Sequence, residues 1–257
     1  MKSSLYVSVI CVLLGVLYSC SDGNKHNNQA VIEFDSLIQT GQIIKAEQKG
    51  RRIMEEIAPN DYVEPHMAIF NQMAQIALAD ERFGDAEQYA LKSLEVIEVL
   101  HKKPSYEYTQ TMALLGRIYY YSHALGKAVE YLQQAIELRA YEETNTTSVD
   151  LAGDFYLLSQ SYAGFALYEE SVFCLEKADS LYRTANTLDT AGEFEITNTL
   201  AILYSYVGRE QEADQLSNQT VLLAKKWKGE NSIVYAQALK TRSMVSLKGQ
   251  DTLAAML

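Results

Sequence analysis

The histidines and cysteines are considered first, because they carry most metal binding and much nucleophilic catalysis in proteins. The four histidines, His26, His66, His101 and His123, do not stand at metal-ligand spacing from one another or from a cysteine. Cys174 lies in an apolar stretch with neither a histidine nor a base motif beside it, which predicts a small buried side chain. The sequence therefore predicts no metal site, no cofactor and no catalytic residue.

Three further patterns fall short of catalytic or ligand-binding motifs. Gly126-Lys127 lacks the upstream glycine and the following Ser or Thr of a phosphate-binding loop. Ser159 and Ser161 lack the flanking glycines of a nucleophile elbow, and the stretch 80–87 lacks the alternating oxygen ligands of a calcium loop. We therefore expect a binding protein and not an enzyme.

Composition narrows both the fold class and the partner class. The 22 basic and 33 acidic residues give a net charge of −11, which repels the phosphates of nucleic acids, so a nucleic-acid partner is not expected. Three prolines in 257 residues, with abundant Ala, Leu, Glu and Gln, favour long helices. The sequence therefore predicts an all-α protein.

Residues 1–19 have the layout of a secretory signal peptide, with a positive charge at Lys2, an apolar run from Leu5 to Leu17 and a small residue before Cys20. The run is shorter than the roughly 20 apolar residues of a membrane-spanning helix. Leu17-Tyr18-Ser19-Cys20 resembles the bacterial lipobox, and this resemblance implies cleavage before Cys20 and lipidation of that residue. The alternative is an ordinary secreted protein whose leader contains a cysteine.

Residues 20–29 are polar and unpatterned, which predicts a flexible tether between the anchor and the folded part. Among bacterial lipoproteins, a serine such as Ser21 after the lipidated cysteine implies the outer membrane. We therefore expect an outer-membrane lipoprotein of the cell envelope that faces the periplasm or the cell surface.

Small residues recur at fixed distances in four successive stretches of the remaining chain, separated each time by 12 and then 7 residues. The four sets are Ala74, Ala86 and Ser93; Gly116, Ala128 and Ala135; Ser159, Ser171 and Ala178; Ala201, Ala213 and Thr220. Apolar residues flank them at helical spacing, and a turn signal stands between the first and second member. Each unit is therefore predicted to be a helix, a tight turn and an antiparallel helix.

This pattern resembles the tetratricopeptide repeat, and Leu115-Gly116-x-x-Tyr119 with Ala128-x-x-x-Leu132-x-x-Ala135 matches its signature most fully. The period is 42 or 43 residues, whereas the family standard is about 34. Long-helix arrays resembling kinesin light chain have this spacing. The resemblance implies a right-handed superhelical solenoid of antiparallel helix pairs, extending over residues 30–257.

Within residues 30–257 we expect an irregular first pair, four full repeats and a truncated fifth. The first pair is predicted over the stretches 32–38 and 46–54, on either side of Gly41. Ser243 and Ala255 repeat the 12-residue offset, but the sequence ends before a fifth pair is complete.

The resemblance also implies a groove lined by the first helices, where the family binds peptides or proteins. Counting from the Leu-Gly pair places nine residues of this chain in that groove: Asn71, Gln75, Arg117, Tyr120, Tyr121, Tyr156, Gln160, Asn198 and Tyr206. Amide and tyrosine side chains suit a peptide ligand, because they combine hydrogen bonding with flat apolar surface. The alternative for the tyrosines is packing between helices.

We therefore predict a membrane-anchored scaffold or adaptor of the bacterial envelope that binds a protein or peptide. Two alternatives stay open. One is a surface lipoprotein that binds glycans or nutrients by stacking tyrosines on sugars. The other is the exported sensor part of a longer signalling protein.

Overall fold

The described residues form eleven α-helices and no β-strand, which confirms the all-α prediction. The computed structural model describes residues 25–58, 61–141 and 147–255. The predicted signal peptide, Cys20 and residues 20–24 of the predicted tether lie outside them. None of the helices in these ranges is both long and apolar enough to span a membrane. The helices are α1 (Lys25–Gln39), α2 (Ile43–Glu56), α3 (Glu64–Ala79), α4 (Phe83–Val99), α5 (Tyr106–Tyr121), α6 (Leu125–Tyr141), α7 (Ser148–Gly164), α8 (Tyr168–Thr184), α9 (Thr190–Tyr206), α10 (Glu210–Lys228) and α11 (Ile233–Ala255).

The chain divides into two compact units, one ending at Lys49 and the other beginning at Gly50. In the first unit, Phe34 of α1 and Ala46 of α2 are fully buried, and they stand 12 residues apart, as in the complete repeats. Gly41 forms the turn between the helices with a φ of 71°. Helix α1 begins at Lys25, so residues 25–29 of the predicted tether are helical. Neither proline nor glycine interrupts this stretch, so the helix continues through it.

The second unit contains the four complete helix pairs, in which α3 packs on α4, α5 on α6, α7 on α8 and α9 on α10. Each pair is joined by a three-residue turn with one residue in the left-handed region: Glu81, His123, Ala166 and Gly208. The amide of the next residue then donates to a carbonyl of the preceding helix, as Ala124 N does to Tyr119 O at 2.8 Å. This bond satisfies a carbonyl that the ending helix would otherwise leave unpaired.

The small residues that define the repeat are all buried, which confirms the predicted register. A Cβ added at Gly116 would lie only 2.6 Å from Leu132 Cγ of the facing helix, so glycine is required by the close approach of α5 and α6. In the third pair, Ser159 and Ser171 each donate through Oγ to the other's carbonyl oxygen at 2.8 Å. These two bonds satisfy both hydroxyls where α7 crosses α8.

Successive pairs are joined mainly by the second helix of one pair, which packs on the first helix of the next. First helices also touch one another, since α3 contacts α5, α5 contacts α7 and α9 contacts α11. Successive second helices make no comparable contact within the described ranges. The stack is therefore tighter on the side of the first helices, which places their exposed face on the inner side. We call it the first-helix face.

Helix α11 is continuous from Ile233 to Ala255, so the 12-residue offset from Ser243 to Ala255 contains no turn. It packs on α9 and α10 through buried Ala238 and Val245. Arg242 and Ser246 stand where the complete repeats carry apolar or aromatic residues, and both face the solvent.

Candidate partner-binding face

The predicted groove residues all lie on first helices. Asn71 and Gln75 belong to α3; Arg117, Tyr120 and Tyr121 to α5; Tyr156 and Gln160 to α7; Asn198 and Tyr206 to α9. The structure brings four of them together around α5 and α7, whereas the others have separate surroundings.

Arg117, Tyr120, Tyr121 and Tyr156 form a cluster that we call the tyrosine patch. The ring of Tyr120 lies edge-on to that of Tyr121, with centroids 5.1 Å apart. The pKa of the Tyr156 hydroxyl is raised to about 12, first by burial and then by nearby groups that include Glu195 and the hydroxyls of Tyr120 and Tyr121. Tyr121 is 48% exposed, whereas Tyr120 and Tyr156 are half-buried.

Tyr156 differs from the exposed groove residue that the sequence predicts. Its ring packs against a core cluster that contains Leu175, Ile196 and Leu200. It therefore contributes to the packing between α7, α8 and α9 as well as to the patch, and both interpretations of the tyrosines apply to this one residue.

Sequence reasoning missed Tyr182 and Glu195 at the edge of the patch. The hydroxyl of Tyr182 adds to the rise in the Tyr156 pKa, after Glu195 and the patch tyrosines. Burial raises the pKa of Tyr182 itself, and the positive charge of Arg117 opposes that rise, which places the guanidinium nearby. Tyr182 lies on a second helix, α8, so counting along first helices could not identify it.

A buried ion pair lies beside the patch and was also missed. Arg139 Nε of α6 donates to Asp154 Oδ2 of α7 at 2.6 Å, and both side chains are almost fully buried. Burial raises the pKa of Asp154, while Arg139 and then Arg117 oppose the rise. Arg139 Nη1 is buried without a hydrogen-bond partner. Other first helices carry Ile69, Thr111 and Ile196 at the position of Asp154, so only this repeat has a buried charge there.

Asn71 and Tyr206 are engaged by neighbouring side chains. Asn71 Nδ2 donates to Thr111 Oγ1 at 2.8 Å, which joins α3 to α5 and occupies part of its hydrogen-bonding capacity. The Tyr206 ring stacks on Tyr168 with centroids 4.3 Å apart, and Lys248 Nζ lies 3.6 Å from its centroid. Tyr206 thus belongs to a second aromatic cluster, built with α8 and α11.

The remaining predicted residues are half-buried amides. Gln75 and Gln160 lie on the first-helix face of α3 and α7. Asn198 Oδ1, on the first helix that follows that of Tyr156, is buried without a hydrogen-bond partner among the described residues. An unsatisfied amide oxygen at this place is a polar atom that a ligand or water could satisfy after local rearrangement.

Among the residues considered for chemistry, His66 and Cys174 are buried, whereas His101 and His123 are exposed. His66 is 1% exposed, and burial lowers its pKa to about 4. Cys174 is a free buried thiol whose pKa is raised to about 11 by burial, which confirms its assignment to the core. No cluster of three potential metal-ligating side chains occurs within the described ranges.

The tetratricopeptide repeat family profile matches residues 66–140, the stretch from α3 to α6. No curated protein matches the chain in sequence. Among solved structures, BtubC (BKLC) from P. vanneervenii is 16% identical with a TM-score of 0.61, and the match covers 80% of this chain and 82% of that one. A putative kinesin light chain from Podosopora anserina with nearly identical TPR-like repeats is 17% identical with a TM-score of 0.58, covering 74% and 89%.

The quorum sensor NprR from B. thuringiensis is 16% identical in its apo form with a TM-score of 0.60, covering 96% of this chain and 65% of that one. NprR has also been solved with its cognate peptide NprX, and that structure has a TM-score of 0.53 to this chain, also at 16% identity, covering 98% and 69%. At such identities the similarity shows the fold alone. Residues 66–140 match the tetratricopeptide repeat family, and the described helix pairs of the second unit have the tetratricopeptide-like fold.

Proposed function

We propose that the protein is a non-catalytic adaptor that binds a peptide or an extended protein segment at the tyrosine patch. The observation that carries this proposal is the proximity of Tyr120 and Tyr121 of α5 to Tyr156 of α7. Arg117 stands one helical turn before Tyr121 on the same helix and acts on Tyr182 beside Tyr156. Aromatic and arginine side chains are the commonest anchors of protein interfaces. The similarity to NprR, which was solved with its cognate peptide, supports this class of ligand.

We further propose that the adaptor is held at the outer membrane by a lipid on Cys20. The support is the leader of residues 1–19 and the lipobox-like Leu17-Tyr18-Ser19-Cys20. A multiply acylated cysteine would give a durable anchor, whereas a single chain binds membranes only marginally. The partner would then be another protein of the envelope.

The binding face can be tested by capturing partners from native envelopes with the full-length protein. Arg117→Gln and Tyr121→Ala change the most exposed members of the patch, so binding should weaken about tenfold or more while folding is preserved. Leu222→Ala, at an exposed position of the second helix α10, is the matched control and should retain the partner. Quantitative mass spectrometry of the recovered proteins provides the measurement.

Two outcomes would contradict the assignment. Recovery unchanged in both patch variants would place the partner elsewhere on the protein. The glycan-binding alternative would be favoured if a soluble glycan reduced the recovery of captured material and the patch variants still captured every protein that the parent captures.

A further inference from the structure

A cleft of about 450 Å³ opens between the second helices α6 and α8, on the side opposite the first-helix face. Its floor is formed by Phe155, Leu158 and Tyr162 of α7, which are reachable there because α6 and α8 make no close contact. Gln133 of α6 donates through Nε2 to the Tyr162 hydroxyl at 2.7 Å, which holds the ring in place.

The cleft exists because one large side chain is missing from the third repeat. Cys174 of α8 lies in its wall, at the position that the other complete repeats fill with Tyr89, Tyr131 and Leu216. Cysteine is much smaller than tyrosine or leucine, so this replacement opens space above the floor. The cleft therefore lies where the third repeat departs from the repeat pattern.

Phe173, directly before Cys174, is apolar where the other complete repeats carry polar residues. Phe173 is 58% exposed at the mouth of the cleft, whereas the equivalent positions carry Gln88, Glu130 and Gln215. An exposed aromatic ring beside an apolar cavity is an unfavourable surface for water and a favourable one for an apolar ligand group.

The charges around the cleft are also distinctive. In the second repeat, Lys127 Nζ lies 4.6 Å from the ring centroid of Tyr119, and in the fourth, the guanidinium of Arg209 lies 3.8 Å from that of Tyr204. Tyr162 is the equivalent tyrosine, but the third repeat has Glu170 and Leu167 where those cations stand. No cation covers the Tyr162 ring among the described residues.

Instead, two acidic residues line the cleft. Glu169 and Glu170 are both exposed at the start of α8, and neither forms an ion pair with the described residues. Lys177 Nζ of α8 lies 5.6 Å from the ring centroid of Phe173 at the mouth of the cleft, but no described cation lies over Tyr162. Cationic groups bind over tyrosine rings and beside carboxylates, so the space over Tyr162 suits a positively charged side chain.

We propose that the cleft between α6 and α8 binds a basic segment of another protein. A lysine or arginine of that segment lies over Tyr162 and pairs with Glu169 and Glu170, in the place that Lys127 and Arg209 occupy in the neighbouring repeats. An adjacent apolar side chain fills the space above Cys174 and contacts Phe173. This surface is separate from the tyrosine patch and does not depend on it.

The test uses the full-length protein and a fluorescent probe peptide, Gly-Leu-Lys-Leu-Lys-Gly, with photo-reactive leucines. Its acetylated-lysine form is the control, since acetylation removes the charge and keeps most of the stem. Glu169→Gln with Glu170→Gln should raise the Kd about tenfold, and so should Cys174→Tyr, which fills the cleft. Phe173→Gln restores the residue type of Gln88 and Gln215 and should raise the Kd about fivefold.

Glu55→Gln with Glu56→Gln on α2 is the matched control, because this exposed adjacent pair carries the same charge. It should leave the Kd unchanged, and the cross-links should map to α6, α7 and α8. If Cys174→Tyr fails to fold, the paired glutamine variant alone decides the outcome. Equal weakening by both glutamine pairs would indicate general attraction to an acidic protein and would overturn the proposal.

Three other results would also overturn it. One is equal binding of the acetylated peptide, and another is cross-linking outside these helices. The third is self-association in sedimentation that Phe173→Gln abolishes, which would assign the cleft to a second copy of this chain.

Discussion

At the scale of single residues, His66 couples stability to pH. Its ring is buried, Nδ1 accepts from the Val63 amide at 3.1 Å, and burial lowers its pKa to about 4 from 6.5. Between these values the unfolded chain takes up a proton that the folded protein does not. The contribution of His66 to stability is therefore complete above pH 6.5 and is lost as the pH falls from 6.5 to 4. At pH 5 the loss should be about 2 kcal/mol.

Urea unfolding at pH 7.5 and pH 5 measures this loss. His66→Leu removes the titrating group and should reduce the difference between the two pH values, although its stability at pH 7.5 will also change. His101→Gln, at an exposed position, should leave the difference as in the parent. If His66→Leu shows the same pH difference as the parent, other groups cause the acid sensitivity.

The residues whose environment follows from helical periodicity were predictable. Cys174 and the twelve small residues at the helix crossings are buried as the spacing required. The partners of polar side chains were not, because they come from other helices: Thr111 for Asn71, Tyr168 for Tyr206 and Asp154 for Arg139. Spacing along one helix determines which face a residue occupies but not what lies opposite it.

At the scale of helices, the crossing of α5 and α6 is closely packed. Ala128 of α6 is fully buried where the two helices meet, so Ala128→Leu adds three carbons to a space already filled. The variant should lose about 1–3 kcal/mol of unfolding free energy. Thermal and urea unfolding followed by circular dichroism provide the measurement.

Ala140→Leu is the matched control, because Ala140 lies on the same helix and is exposed. It should change stability by less than about 0.5 kcal/mol. Equal unfolding of the Ala128 variant and the parent would mean that α5 and α6 do not cross at this residue.

The helix pairs themselves were predictable because four copies of one spacing reinforce each other, and each copy carries its own turn. The form of the last described helix, α11, was less predictable. Ser243 and Ala255 keep the 12-residue offset, yet α11 runs through both positions, because nothing between them breaks a helix except Gly249, which a helix tolerates. The cleft between α6 and α8 could be predicted only after the repeats had been aligned with one another. It lies where Cys174 and Phe173 differ from their equivalents in the other repeats.

At the scale of the whole molecule, the net charge of −11 favours basic partners. It increases their rate of encounter at low ionic strength, and salt screens the effect over about 8–10 Å at physiological concentration. The tyrosine patch carries Arg117, whereas the α6–α8 cleft carries Glu169 and Glu170. Binding at the cleft should therefore weaken with salt more than binding at the patch, so titrations at two salt concentrations distinguish the two surfaces.

The whole molecule also carries the proposed lipid anchor. Cys20 should be the mature N-terminus and should bear the lipid, because Leu17-Tyr18-Ser19 precedes it after an apolar leader. The parent should then partition into the detergent phase of a Triton X-114 extract of the envelope, because each acyl chain contributes about 0.8 kcal/mol of membrane affinity per buried methylene. The variant Cys20→Ser should give unprocessed or water-soluble protein. Cys11→Ser, within the predicted leader, is the matched control and should be processed and anchored like the parent. Mass spectrometry of the mature N-terminus decides the question, and an unmodified Cys20 or a cleavage site elsewhere would show that the chain is exported without this anchor.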